Sequence, residues 1–154
     1  MKHMSLTLCA VALALAVAGS ASARREAASC NLVRPSVIHN VLGVTVGPLT
    51  SHARAGVLTC AYSVNGVPNV VQISFASNVS AAAFHATQVS FTHAYPNAHA
   101  VHGLGDAAFA AGQGAGLFAE TLLFAHKGHS QVTVTATASL AKCEHLARLL
   151  LPHA

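Results

Sequence analysis

The sequence predicts an α+β fold, an antiparallel β-sheet with one face covered by helices, in the element order α-β-β-α-β-β-β-α. Two observations carry that reading. Two pairs of alternating apolar and polar stretches fold back at tight-turn signals: Leu58 to Val64 with Val71 to Phe75 around Asn65-Gly66, and Leu117 to Ala125 with Gln131 to Ala138 around Lys127-Gly128. Three further stretches carry apolar residues at helical spacing and are bounded by caps, glycine or proline. Helices lying on one face of a sheet satisfy every one of these amphipathic elements.

The chain begins with Lys2 and His3, then an apolar run from Leu6 to Ala18, then Gly19-Ser20-Ala21-Ser22-Ala23. A basic tip, a run too short to span a bilayer and a small-residue exit make a secretory signal peptide, cleaved after Ala23. Cys9 lies too early for a lipidation site and Cys30 too late, so lipid attachment is not expected. Residues 24–154 are enough for a single domain with its own core, and no later stretch is apolar for long enough to cross a membrane as a helix.

After a short polar tail, Pro35 suits a first helical turn, and Val37, Ile38, Val41 and Leu42 share a face before Gly43 stops the helix. Thr45 to Gly56, with Gly47, Pro48, Ser51 and His52, reads as an irregular connection with room for a brief strand. The first hairpin follows. Ser77-Asn78 offers a helix cap, and Ala83, Phe84, Thr87 and Phe91 mark a second helix from Ala81 to about His93, ended by Tyr95-Pro96. A short strand around Ala107 to Ala111, a glycine-rich turn at residues 112–116 and the second hairpin come next. In that hairpin Val132, Val134, Ala136 and Ala138 point inward and the intervening threonines outward. Ser139 then caps a last helix with Leu140, Cys143, Ala147 and Leu150 on one stripe.

Charge narrows the partners. Beyond Ala23 the seven basic residues are scattered among four acids, with no basic stripe and few aromatics, so nucleic-acid binding has no support. Three cysteines remain there, Cys30, Cys60 and Cys143, in a compartment that permits disulfides. Cys30 precedes the first helix and Cys60 sits in a strand, and pairing them ties the start of the domain to the sheet. Cys143 reads as a small buried hydrophobe.

The transition between the two halves is Val101-His102-Gly103-Leu104-Gly105-Asp106-Ala107-Ala108-Phe109. Gly103 and Gly105 allow positive φ on either side of a buried Leu104, and Asp106 can cap the turn, which makes these four residues a turn and a candidate ligand loop. No lysine follows the glycines, so it is not a phosphate loop. Histidine is the compositional oddity, with ten beyond the signal peptide. His93, His99 and His102 precede the turn, and His126 and His129 flank Lys127-Gly128. Directly opposed across a two-residue hairpin, the last two could share Zn, Cu or Ni with His102 or His99 as third ligand. Asp106 and Glu120 are the candidate acids, but neither a GxSxG elbow nor an HExxH motif is present.

Cys30 before a helix ending Leu42-Gly43, Cys60-Ala61-Tyr62 in a strand, the Gly103 to Ala108 turn and an alanine-rich last helix from Ala141 to Leu151 together resemble a family of secreted actinobacterial proteins and lipoproteins of unknown function. That resemblance implies a PsbP-like sandwich, export to the cell envelope and a Cys30–Cys60 bridge. The chain departs from the family in lacking a lipidation cysteine and in its histidines. The expected function is an exported, non-catalytic binding domain without a cofactor, taking an envelope protein, another envelope component or a small ligand. The alternative is a histidine-based metal binder.

Overall fold

The computed structural model describes residues 28–114 and 119–154. The expected signal peptide with its cleavage point, the glycine-rich turn at residues 115–116 and the first residues of the strand expected from Leu117 lie outside that range.

A 3₁₀ turn over Cys30–Val33 leads into α1 (Pro35–Leu42). Pro35 occupies the first turn as expected, and Gly43 ends the helix with φ 77°, its N–H donating to the His39 carbonyl. Seven strands follow, broken by one helix: β1 (Leu49–Arg54), β2 (Val57–Val64), β3 (Val67–Ser77), α2 (Ala81–Ala94), β4 (His99–Ala100), β5 (Ala107–Gln113), β6 (Glu120–Lys127) and β7 (Ser130–Ala136). The chain closes with α3 (Leu140–Leu150) and a 3₁₀ turn over Leu151–His153.

The α+β class with an antiparallel sheet holds, but the expected element order needs two more strands. β1 forms where an irregular connection was expected, because Ala55 (φ 50°) and Gly56 (φ 78°) make a two-residue turn that folds it onto β2. β4 is a two-residue strand that His99 and Ala100 form against β5. All neighbours are antiparallel, in the order β1-β2-β3-β7-β6-β5-β4. Two meanders, β1 to β3 and β4 to β7, are thus joined where β3 lies beside β7, from Val71 opposite Ala136 to Ser77 opposite Ser130.

That order explains a second departure. The chain leaves β3 in the middle of the sheet and must reach β4 at its far edge, so α2 crosses over β5 and β6. Helices α1 and α3 cover one face, over a core of Ile38, Leu42, Val71, Ile73, Leu123, Val132, Val134 and Leu146. α2 covers part of the other face, where Phe84 and Phe91 pack on Phe109 and Ala111 with Leu122 and Phe124 alongside. The helices therefore lie on both faces, not one. β5 consequently alternates small residues toward the main core (Ala108, Ala110) with Phe109 toward α2.

Local chemistry sets the ends of each helix. Ser80, rather than Ser77 or Asn78, caps α2, its hydroxyl accepting from the Ala83 N–H at 3.1 Å. Val79 just before the cap and Phe84 four residues inside belong to the same apolar cluster, a hydrophobic staple. Ser139 stands at the start of α3 and serves through its carbonyl, which accepts from Lys142 and Cys143. Lys142 then donates its Nζ to the Leu42 carbonyl at 2.8 Å, a cation on the C-terminal end of α1 that ties the two helices together.

Cys30 and Cys60 are bonded, with Cα atoms 5.7 Å apart. Beside them the buried Tyr62 donates its hydroxyl to the Val33 carbonyl, so the 3₁₀ turn is fixed to β2 by a covalent link and a hydrogen bond. Replacing both cysteines by alanine opens a loop of 30 residues and is expected to lower stability by about 3.6 kcal/mol on the chain-entropy model. Urea unfolding of the double variant against the oxidised parent measures it; a loss below about 1 kcal/mol contradicts the bridge as a principal constraint.

Candidate functional site

The residue pairing that builds the sheet also builds a cavity at one of its corners. On the core face Ala53 pairs with Leu58 and Leu58 with Phe75, one apolar row running inward from the β1 edge. Three chain reversals meet around this row: the β1–β2 turn at Ala55-Gly56, the end of β3 at Ser77-Asn78, and the β6–β7 turn at His129. They border a half-open cavity of about 520 Å³. Its floor is Ala53, Leu58 and Phe75, and the polar residues that line it are Arg54, Ser77, Asn78, His129 and Ser130. Asn78 adopts φ 61°, a left-handed conformation that asparagine tolerates, and it turns the chain away from the cavity toward α2. The corner is held closed by the Val79 N–H donating to the His129 carbonyl at 2.9 Å and by the Ser130 hydroxyl donating to the Ala154 carbonyl at 2.7 Å.

The turn that joins the two halves of the chain lies elsewhere and is committed to packing. Leu104 is buried in the main core, while Gly103 and Gly105 take φ 73° and 66°. A Cβ on Gly105 would stand 2.3 Å from the His126 carbonyl oxygen, so the backbone approaches β6 too closely for any side chain. Asp106 donates its N–H to that same carbonyl at 2.8 Å, and its carboxylate accepts from the Gly128 N–H at 2.7 Å. Gly103 to Asp106 is therefore a clamp on the β6–β7 turn, with its acid already engaged.

The histidines are placed differently from the expected hairpin. The two-residue turn is Gly128-His129, flanked by Lys127 opposite Ser130, and His126 pairs with Gln131. Gly128 supplies the positive φ (63°) at the first turn position, which moves the turn one residue along the chain and separates His126 from His129. His126 is buried, 2% exposed; its Nε2 lies 3.0 Å from the Val79 carbonyl and its ring stacks on Phe84 at 4.9 Å. His129 is exposed at the turn tip, and His93, His99 and His102 are exposed on α2, β4 and the connecting turn. Among the described residues no three His, Cys, Asp or Glu side chains gather as a metal site. The other candidate acid, Glu120, accepts from the Gln113 amide at 2.7 Å across β5 and β6.

Among the described residues Cys143 is the free thiol, buried on α3 against the sheet. Burial, with the Glu144 carboxylate beside it, pushes its pKa up to about 12 from 9.0. No helix among the described residues is long and apolar enough to cross a membrane. Comparison with family models, with characterised proteins and with solved structures returns no match.

The cavity itself was not legible in the sequence, since its β1 wall looked like irregular chain and its lining comes from segments far apart in the chain, the nearest two running up to Leu58 and from Phe75. The signal was faint: Leu49, Ser51 and Ala53 alternate before a small Ala55-Gly56 pair, but Ala-Gly is a poor marker of a two-residue turn beside Asn-Gly.

Two outcomes follow from the placement of these side chains. His126→Ala leaves the Val79 carbonyl without its partner and removes a stacked ring, and is expected to cost about 3 kcal/mol, whereas His129→Ala at the turn tip costs under about 0.5 kcal/mol. Chemical unfolding of both variants reads the difference. Because the Cys143 pKa is raised in the fold, the unfolded chain loses this proton first as pH rises. The thiol therefore contributes a fall in stability between about pH 9 and 12 that a Cys143→Ala variant lacks, and in the native protein at pH 8 it resists thiol reagents until the chain unfolds.

Proposed function

We propose that this chain is an exported, non-catalytic binding domain whose ligand occupies the cavity between the β1–β2 turn, the end of β3 and the β6–β7 turn. The observation that carries the reading is the cavity itself, about 520 Å³ with an apolar floor and a few convergent polar groups, within the range of small-ligand sites. Ala53, Leu58 and Phe75 offer dispersion contacts to the body of a small molecule, and Asn78 and Ser130 offer directional contacts to a polar end. Among the described residues that line it, Arg54 and His129 are the ionisable side chains. Export is supported by the leader pattern ahead of Ala23 and agrees with a structural disulfide, which oxidising compartments preserve. The resemblance to secreted envelope proteins of unknown function points the same way.

The ligand expected is a small amphipathic molecule. Decanol and decanoate serve as neutral and anionic probes in thermal unfolding of the purified, oxidised protein. A binder present at a hundredfold excess over its Kd raises stability by about 2.7 kcal/mol. The chain holds no tryptophan, so Leu58→Trp places a unique fluorophore on the cavity floor. A saturable emission change with the same probe assigns the gain to this site. A flat response from both probes in both measurements overturns the reading.

A further inference from the structure

The sheet has two edges, and they are unlike. β4 is two residues long, whereas β1 runs for six, all exposed, with β2 on one side and, among the described residues, no neighbour on the other. Long edges in natural sheets are commonly blunted by lysine, by inward charges or by a bulge. β1 has no lysine, no inward charge and no bulge, its pairing with β2 being uninterrupted from Leu49 opposite Tyr62 to Arg54 opposite Val57; Arg54 at its end and Pro48 just before it are the protecting residues it carries.

The β1–β2 turn fixes which backbone groups are free. Arg54 and Val57 flank a two-residue turn whose central residues both have positive φ, the geometry in which the flanking pair exchanges both N–H···O bonds. Bonding to β2 therefore falls on Arg54, His52 and Thr50. Leu49, Ser51 and Ala53 direct their N–H and C=O groups outward. Pro48, which has no N–H, does not interrupt this outward set. The side chains of Leu49, Ser51 and Ala53 lie on the core face, opposite Tyr62, Cys60 and Leu58, and Leu49 is 41% exposed there.

We propose that β1 is a self-association edge, along which two copies of the chain pair antiparallel about a two-fold axis at Ser51. In this register Leu49 faces the partner's Ala53, Ser51 faces the partner's Ser51, and Ala53 faces the partner's Leu49. Each pair exchanges two backbone bonds, about six in all. No other antiparallel register that keeps both cores on one side uses all three outward residues of both copies. It sets Arg54 opposite the partner's Pro48, so no like charges meet. It also brings the partner's Leu49 over Ala53, on the floor of the cavity. A second copy supplies all of these matches by symmetry, which a foreign strand would have to supply by its own sequence. Self-pairing along six residues gives a small interface, so the dimer is weak and forms with rising concentration. The association stands whether or not a ligand fills the cavity.

Sedimentation velocity of the purified, oxidised protein from low-micromolar to near-millimolar concentration tests it. The expected result is a shift from monomer to dimer. Ser51→Pro removes an outward donor at the axis on each copy and is expected to weaken association by about tenfold or more while leaving the melting temperature near that of the parent. Thr50 and His52 of the two copies face each other in the pairs without backbone bonds, about 4.5 Å apart at Cα, a spacing a disulfide can bridge. A mixture of Thr50→Cys and His52→Cys chains is then expected to cross-link about tenfold faster than either variant alone. A constant monomer across the range, association that Ser51→Pro leaves unchanged, or equal cross-linking in all three samples overturns the proposal; a constant monomer leaves the edge to a foreign extended peptide.

Discussion

The pairing of β3 with β7 is the constraint on which the rest of the molecule depends. It joins residues about 60 apart in the chain and turns two small meanders into one seven-stranded sheet. Through it a single row of core residues, Cys60, Ile73, Val134, Leu123 and Ala110, runs across five strands with at most 1% exposure. A slip of one residue in this ladder would send Val71, Ile73 and Phe75 to the opposite face. The register is secured because β3 and β7 both carry their apolar residues on alternate positions, and because α1 and α3 press on that face alone.

The same strand order dictates the second face. Since the chain leaves β3 at the middle of the sheet and resumes at its edge, a helix has to pass over β5 and β6. One row across that face shows the consequence: Thr59, Ser74 and Thr133 stand on the uncovered side, with Thr59 and Ser74 hydroxyls 3.0 Å apart, and the row continues into Phe124 and Phe109 beneath α2. Phe91 of the helix, tilted on Phe109 at 5.1 Å, fixes α2 to the sheet, where Phe109 stacks on Phe124 at 4.8 Å. His126 closes the end of this cluster, its ring on Phe84 and its nitrogen against the carbonyl that precedes the α2 cap.

The cavity and the open edge of β1 share a corner of the sheet because both descend from the β1–β2 turn. That turn folds β1 back as an edge strand, which exposes alternate backbone groups, and it places Ala53 and Arg54 beside the row leading to Phe75. By contrast the glycine-rich turn at Gly103 to Asp106, the most conspicuous motif in the chain, is consumed by contacts to β6 and to the β6–β7 turn. A loop with two left-handed glycines and a capping acid suits close approach of backbone to backbone as well as it suits a ligand.

What the sequence determined by itself is local. The Asn65-Gly66 turn, the Pro35 and Gly43 limits of α1, the apolar faces of β2, β3, β7 and α3, and the burial of Cys143 all follow from propensity, periodicity and cap chemistry within a few residues. The Cys30–Cys60 bond was also expected, as the bridge that ties the start of the domain to the sheet while Cys143 reads as a buried hydrophobe. The tertiary structure decided the strand order, the side of the sheet that α2 covers, the formation of β1 and β4, and the one-residue placement of the last hairpin turn that parts His126 from His129. Each of these depends on partners far along the chain. β1 has too little apolar character to declare itself and becomes a strand because β2 offers it a ladder. His126 is buried because α2 crosses above it, and nothing within its own strand records that crossing.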